Sequence, residues 1–395
     1  MRICFVSHSS QDGGAQRVLL ETIELLQQQG IECRVLVPSE GYVCQELKRL
    51  GVPFRVISYP MWMSRGKASL VLRLKAALNF IKDTLQVSWN ILRWKSDIVY
   101  SNTATVCVGA FAARLLGRPH VWHLHEFGWE DQGLSFLFGE RLSLALINRL
   151  SNRCVCVSFA LASKYAKSID TSKITVVYPS MHRALSGEGA MSSEDALVVP
   201  PANRFRCVIV GALIEGKGHQ DAVLALAQLI EAGIPAELII AGEGESQYRQ
   251  RLEELVRTSN LEKEVVFVGQ VRNALPLMQS SDAILVCSKS EAFGRVTIEG
   301  MFTGKPVIGA KSAATAELIK DGVNGLLYEP GDAKDLANKM ESIFNNPGLG
   351  RRLGGNANLW IKSYFTGERY VDDLRIILDS AVESIALHKD MARLA

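Results

Sequence analysis

Residues 1–37 read MRICFVSHSSQDGGAQRVLLETIELLQQQGIECRVLV, and the spacing of their apolar positions sets the architecture. Arg2–Ser7 is a short apolar run that reads as a strand, and Ser9–Gly14 is a small, polar turn. Ala15–Gln29 places Val18, Leu19, Ile23, Leu25 and Leu26 on the inner side of a helix, which Gly30 ends before a second strand at Glu32–Val37. Strand, helix and strand at this spacing imply parallel pairing through a right-handed crossover. Further strands are expected at Ile98–Ser101, Val121–Leu124, Cys154–Val157 and Thr175–Tyr178. Residues 186–203 are small, polar and proline-containing, as an interdomain linker would be. The alternation then restarts with strand Phe205–Val210, a Gly-rich turn, helix His219–Ala232 and strand Glu237–Ala241. More strands are expected at Val265–Val268, Ala283–Cys287, Pro306–Gly309 and Gly325–Tyr328. The fold class is therefore α/β: two consecutive doubly wound, Rossmann-like units, whose ligands bind beyond the carboxyl ends of the strands.

Bulk composition agrees with this and removes several function classes. A chain of 395 residues suits two domains. With 48% hydrophobic and 22% charged residues it is globular, and a formal net charge of +3 is too small for a nucleic-acid binder. The 8 cysteines form no C-x-x-C pair, and most lie in apolar runs such as Ile3-Cys4-Phe5-Val6, so buried thiols in a reducing compartment are expected. No charge-free run of membrane-spanning length is present, and Arg2–Val6 is already a strand, so the expectation is a cytoplasmic protein.

Chemistry-bearing residues cluster where strands give way to helices. Ser290-Glu291-Ala292-Phe293-Gly294-Arg295-Val296-Thr297-Ile298-Glu299-Gly300 follows an apolar strand and opens a helix, with Glu299 about two turns in. Free amides near Gly294 make an anion site between two carboxylates. That arrangement suits a ligand with a phosphate centre and hydroxyls at both ends, a nucleotide sugar; the bland alternative is a solvated helix cap on Ser290. Val210-Gly211-Ala212-Leu213-Ile214-Glu215-Gly216-Lys217-Gly218 repeats the strand–turn–helix pattern, and Lys217 can reach a diphosphate as a point charge. Its spacing is not that of a P-loop. In the first half, Gly13 and Gly14 let backbone approach a ligand, with Arg17 in the first helical turn; G-x-G-x-x-G is absent, which argues against a nicotinamide cofactor. His123-Leu124-His125-Glu126 ends a strand with both histidines on one face, His125 nearest the carboxyl end. A metal site there would need further placed ligands, and none is expected. Residues 59–95 hold Trp62, Trp89 and Trp94 with seven cations against a single acid, Asp83. Such a helical pair could rest on an anionic membrane surface, or pack on the sheet as ordinary amphipathic helices.

Taken together, Glu291…Glu299 with Phe293-Gly294, Gly211…Lys217-Gly218, the stretch Glu317–Asp332 and Gly13-Gly14-Ala15-Gln16-Arg17 resemble the family-four retaining glycosyltransferases of the GT-B fold, over nearly the whole chain. The resemblance implies an acceptor-side domain at 1–185, a nucleotide-sugar-binding domain at 204–366, an active site in the cleft between them, and a terminal helix, within 367–395, crossing back onto the first domain. It implies that Glu291 binds donor-sugar hydroxyls and Glu299 the ribose. Lys217 and the amides of Gly294, Arg295 and Val296, beside Phe293, would hold the diphosphate. His125 would sit beside the anomeric carbon, while the Gly13-Gly14 loop, Arg17 and the loop containing Asn102 would face the donor phosphate and the acceptor. Two departures stand out. Ala212 occupies a position where many members carry Arg, so Lys217 acts alone or Arg295 or Arg17 compensates. Ala313-Ala314 replaces a common Gly-Gly pair.

The activity this implies is metal-independent transfer of a hexose from a UDP- or GDP-sugar to a hydroxyl acceptor, a glycan or lipid-linked saccharide in polysaccharide synthesis, with retention. No cofactor beyond the donor is expected, and the location is cytoplasmic, with peripheral contact at the inner membrane face. Two rival classes remain: a nucleotide-sugar epimerase of the same fold, and a non-catalytic nucleotide-sugar-binding subunit.

Overall fold

The computed structural model describes residues 1–66, 70–185 and 203–394, with side chains except at 70–78, 184–185 and 385–394. The chain forms two compact units, Met1–His182 with Thr366–Ala395, and Arg183–Phe365. The stretch read as a linker, 186–203, lies outside the described residues except for Asn203.

The first unit opens with β1 (Arg2–Ser7), α1 (Gly14–Gln28), β2 (Glu32–Val37), α2 (Tyr42–Arg49), β3 (Phe54–Val56), β4 (Met63–Arg65) and α3 (Leu70–Arg93). It continues through β5 (Ile98–Asn102), α4 (Val108–Leu115), β6 (His120–Leu124), α5 (Trp129–Gln132), β7 (Leu134–Phe136), α6 (Glu140–Leu150), β8 (Arg153–Cys156), α7 (Phe159–Tyr165) and β9 (Ile174–Val176), closing near the short α8 (His182–Leu185). Its seven-stranded sheet has the order β3-β2-β1-β5-β6-β8-β9, every pairing parallel. Both faces of β1 are buried, as a parallel sheet between helices requires. Ile3 and Phe5 pack with α1 and α2, and Cys4 and Val6 with Val87 and Ile91 of α3.

The second unit runs β10 (Phe205–Val210), α9 (His219–Glu231), β11 (Ala236–Ala241), α10 (Ser246–Thr258), β12 (Val265–Gly269), α11 (Leu275–Gln279) and β13 (Ala283–Val286). It ends with α12 (Arg295–Phe302), β14 (Val307–Ala310), α13 (Ala313–Leu318), β15 (Leu326–Tyr328), α14 (Ala333–Asn345) and α15 (Pro347–Tyr364). Its six strands are ordered β12-β11-β10-β13-β14-β15, again all parallel. The final helix, α16 (Gly367–Leu394), packs in the first unit, where the Tyr370 hydroxyl meets Thr22 Oγ1 of α1 at 2.7 Å.

One expectation needs correction. The helical pair read within residues 59–95 is one continuous helix, α3; its polar middle is buried, and the Ser88 hydroxyl donates to the Thr84 carbonyl one turn back (2.7 Å). Of the three tryptophans there, Trp62 and Trp94 are core residues and Trp89 alone is exposed. The segment 67–69 lies outside the described residues, as do the side chains of Arg73 and Lys75. All 8 cysteines are free and buried.

Candidate active site

In each unit the strand order reverses beside the first strand, at β1/β5 and at β10/β13, and the loops leaving those carboxyl ends form a natural crevice. The second unit places Lys217 in the loop after β10 and Glu291 in the loop after β13. The lysine ends a 3₁₀ turn, Glu215–Lys217, and its aliphatic stem runs beside Gly211, where an added Cβ would lie 3.7 Å from Lys217 Cδ. Its Nζ donates to Glu291 Oε2 at 2.7 Å. The two residues expected to serve different parts of a donor thus neutralise one another, half-buried.

Gly294 holds φ +81, and a Cβ there would come within 2.9 Å of Leu318 Cδ1, so glycine is demanded by both conformation and space. This left-handed turn delays the helix. Helix α12 begins at Arg295, not at Ser290, and Glu299 stands one turn in rather than two. No side chain caps α12, so the amides of Arg295, Val296 and Thr297 lack intrahelical acceptors and present the positive end of the dipole. Glu299 is not on an open face: Arg295 Nε donates to its Oε1 at 2.9 Å. Phe293 is buried against Phe365, centroid to centroid 6.4 Å, which fixes the loop. Ala313, in place of the usual glycine, adopts φ +43, and the next amide, Ala314 N–H, donates to the Glu291 carbonyl at 3.1 Å. The strain of an L-residue in that region is therefore spent holding the Glu291 backbone.

The first unit gathers a histidine cluster. His123 and His125 leave β6 with ring centroids 4.0 Å apart, and His123 Nδ1 meets the Tyr100 hydroxyl at 2.7 Å. Burial above all, then the neighbouring His123 and His8, holds the His125 imidazole well below its ordinary pKa. It is a neutral ring, and its buried Nε2 has no hydrogen-bond partner. His8, directly after β1, went unread in the sequence although the strand-end rule points to it. Burial pushes it down to about 4, and its Nε2 lies 3.1 Å from Gln16 Nε2. Burial first, then Asp131, raises Glu126, the last residue of the His123-Leu124-His125-Glu126 run, to about 8, and its Oε2 accepts the His125 amide at 3.2 Å. At neutral pH it is largely a protonated acid, a rigid brace under the His125 backbone.

Other expected residues take supporting positions. Asn102 Nδ2 donates to the Ala15 carbonyl at 3.1 Å, tying the end of β5 to the start of α1. Beside it the β-branched Thr103 holds φ +85, a strained conformation of the kind that gathers at functional loops. Neither Gly13 nor Gly14 is left-handed. At Gly13 a Cβ would strike Gln16 Oε1 at 2.6 Å, and beside Gly14 there is open space. Arg17 makes two bonds of 2.8 Å to Asp12, and Ala212, where many members carry Arg, is exposed. Among the described residues no group of three His, Cys, Asp or Glu is arranged to hold a metal, and no helix is long and apolar enough to cross a membrane.

A family model described as Glycosyltransferase Family 4 matches residues 12–182, and one described as Glycosyl transferases group 1 matches residues 197–360. The chain belongs to the family-4 glycosyltransferases. The lipopolysaccharide core biosynthesis glycosyltransferase LpsD of Rhizobium meliloti is 25% identical over 381 residues, covering 95% of this chain and 97% of that protein. The human alpha-1,3/1,6-mannosyltransferase ALG2 is 24% identical over 394 residues, covering 92% of each. Among solved structures, Anabaena Alr3699/HepE in complex with UDP superposes with a TM-score of 0.77 at 22% identity, over 96% of this chain and 100% of that one. The two-domain GT-B architecture is therefore shared. The chain is thus an enzyme, a glycosyltransferase.

Proposed function

We propose that this glycosyltransferase moves a hexose from a UDP- or GDP-sugar to a hydroxyl on a glycan or lipid-linked saccharide, with retention and without a metal. The observation behind this is the Lys217–Glu291 ion pair facing the uncapped start of α12. A diphosphate arriving at those amides competes with Glu291 for the ammonium. Glu291 is then released to accept hydroxyls of the transferred sugar, and Glu299, one turn along α12, takes the ribose. The chemical demand is charge: as the anomeric bond breaks, the departing diphosphate becomes more anionic, and a fixed lysine and helix amides stabilise that change. This clamp does the work for which other transferases use a metal ion. The neutral His125 suits a hydrogen-bonding group near the reacting sugar, because a cation there would oppose an oxocarbenium-like centre. We assign no covalent nucleophile; the acceptor proton passes to the departing phosphate on the same face. The support for the donor class outside the chain itself is that HepE binds UDP and UDP-glucose, and LpsD and ALG2 carry glycan-building names.

The test is Lys217→Ala. Transfer should fall roughly 100- to 1,000-fold, the range for losing one charge-stabilising donor. The fold should persist, since Lys217 and Glu291 lie in loops outside the core strands. Near-full activity in that variant would defeat the clamp. The anomeric configuration of the product, read by NMR, decides retention, and turnover with a chelator present decides metal independence.

A further inference from the structure

From Asn79 on, helix α3 has two apolar faces where a helix covering a sheet needs one. Val87, Ile91 and Trp94 pack into the core beside Cys4 and Val6. On the other side Ile81, Leu85, Trp89 and Leu92 are 67%, 56%, 66% and 49% exposed. At 3.6 residues per turn these four lie within about 80° of one another, a continuous stripe along three turns. Its flank is basic: Lys82 and Arg93 are exposed on the adjoining strip, and Lys95 follows directly after the helix. The neighbouring α4, joined to α3 by an edge-to-face contact of Phe111 on Phe80, exposes Arg114 and Leu115. Between residues 79 and 96 the only acid is Asp83, and it is buried.

Core packing explains neither the stripe nor its charge. We infer that this face of α3 rests on an anionic lipid bilayer, with Trp89 and its aliphatic neighbours in the headgroup–acyl boundary and Lys82, Arg93 and Lys95 at the lipid phosphates. The combination of a narrow apolar face, a tryptophan and flanking cations is what an interfacial helix requires. A second copy of the chain fits less well. A two-fold contact sets the same patch against itself, bringing like charges together, and lysine is depleted at protein interfaces.

The experiment uses the full chain and vesicles of phosphatidylcholine alone or of phosphatidylcholine and phosphatidylglycerol in equal parts. The protein should sediment with the anionic vesicles and stay in solution with the zwitterionic ones, and high salt should weaken retention. Lys82→Gln with Arg93→Gln should lower the partition coefficient roughly 25-fold, at about fivefold for each cation removed near a charged surface. Leu85→Ser with Trp89→Ser should abolish retention, whereas Leu359→Ser, an exposed leucine on α15, should leave it unchanged. Retention equal to wild type in both double variants, or no retention of the wild type on anionic vesicles, overturns the inference. So does a Trp89-dependent dimer in sedimentation equilibrium, which would give the face to a second copy. These variants should bind free nucleotide diphosphate as the wild type does, so the outcome is independent of the donor reading.

Discussion

Each acid that would grip a donor is held by a cation: Glu291 by Lys217 of another loop, and Glu299 by Arg295 of the same helix. The second pair is local, four residues apart on α12, so a ribose can displace it without moving another element. Glu299→Gln should leave thermal stability within a degree or two of wild type while weakening free UDP or GDP roughly tenfold, the loss of one hydrogen bond to a charged acceptor. Isothermal titration calorimetry reads this directly, and unchanged nucleotide affinity would remove Glu299 from the site. Lys217, Glu291 and Gly294 were legible in the sequence because each falls just past an apolar strand, where a doubly wound sheet collects its ligand residues. Their pairing was not legible: Lys217 and Glu291 are 74 residues apart, and nothing local in either segment implies the other. His8 escaped for a different reason. A lone histidine after a strand carries no pattern of its own, and only the arrival of β6 beside the sheet's centre makes it part of a cluster.

At the scale of elements, most strands of the two sheets were legible because a parallel strand covered on both faces is a bare apolar run, whereas the three-residue edge strand β3 went unread. The elements that went unread are those whose signal is tertiary. β4 and β7 are three residues each and pair antiparallel across a long separation, Met63 with Phe136. Helix α3 runs unbroken through Asp83, Thr84 and Ser88, residues of low helix propensity that burial tolerates. Helix α15 shows how packing can outweigh propensity within one turn. Gly354 and Gly355 sit side by side in its middle. A Cβ on Gly354 would lie 1.9 Å from the Gly304 carbonyl oxygen, a backbone atom that cannot step aside, whereas a Cβ on Gly355 would meet nothing within 4 Å. Alanine is the better helix former by about 1 kcal/mol at either position. Gly355→Ala should therefore stabilise by up to about 1 kcal/mol, and Gly354→Ala should destabilise by roughly 1–3 kcal/mol through overpacking. Urea denaturation of the two variants checks the pair, and equal shifts of the same sign would show that α15 is not seated against Gly304 as described.

The whole molecule inherits a pH response from the way its first unit buries histidines. His8 is held at about 4, and His120 and His123 at about 3, each by burial, with His125 also well below its ordinary value. Unfolding returns all four to about 6.5, so below that pH the unfolded chain binds more protons and stability falls as pH falls. Glu126 works in the opposite sense. Raised to about 8 by burial, it keeps a proton in the folded unit that the unfolded chain releases above about 4.5. Its contribution is therefore present in acid and is lost as pH rises towards 8. Stability should peak near pH 6.5 to 7. It should decline gently on the alkaline side, and steeply on the acid side, by about 1.4 kcal/mol per pH unit for each excess proton. The second unit has fewer such groups: His219 is held at about 4, again by burial first. If calorimetry resolves two transitions, the one from the first unit should move further with acid. Glu126→Gln separates the two limbs, because it should flatten the decline between pH 6.5 and 8 and steepen the acid side by removing an opposing proton. A wild-type melting temperature that stayed constant from pH 7 to 5 would mean that the buried histidines are hydrated, and the neutral His125 assigned to the reacting sugar would have to be reconsidered with them.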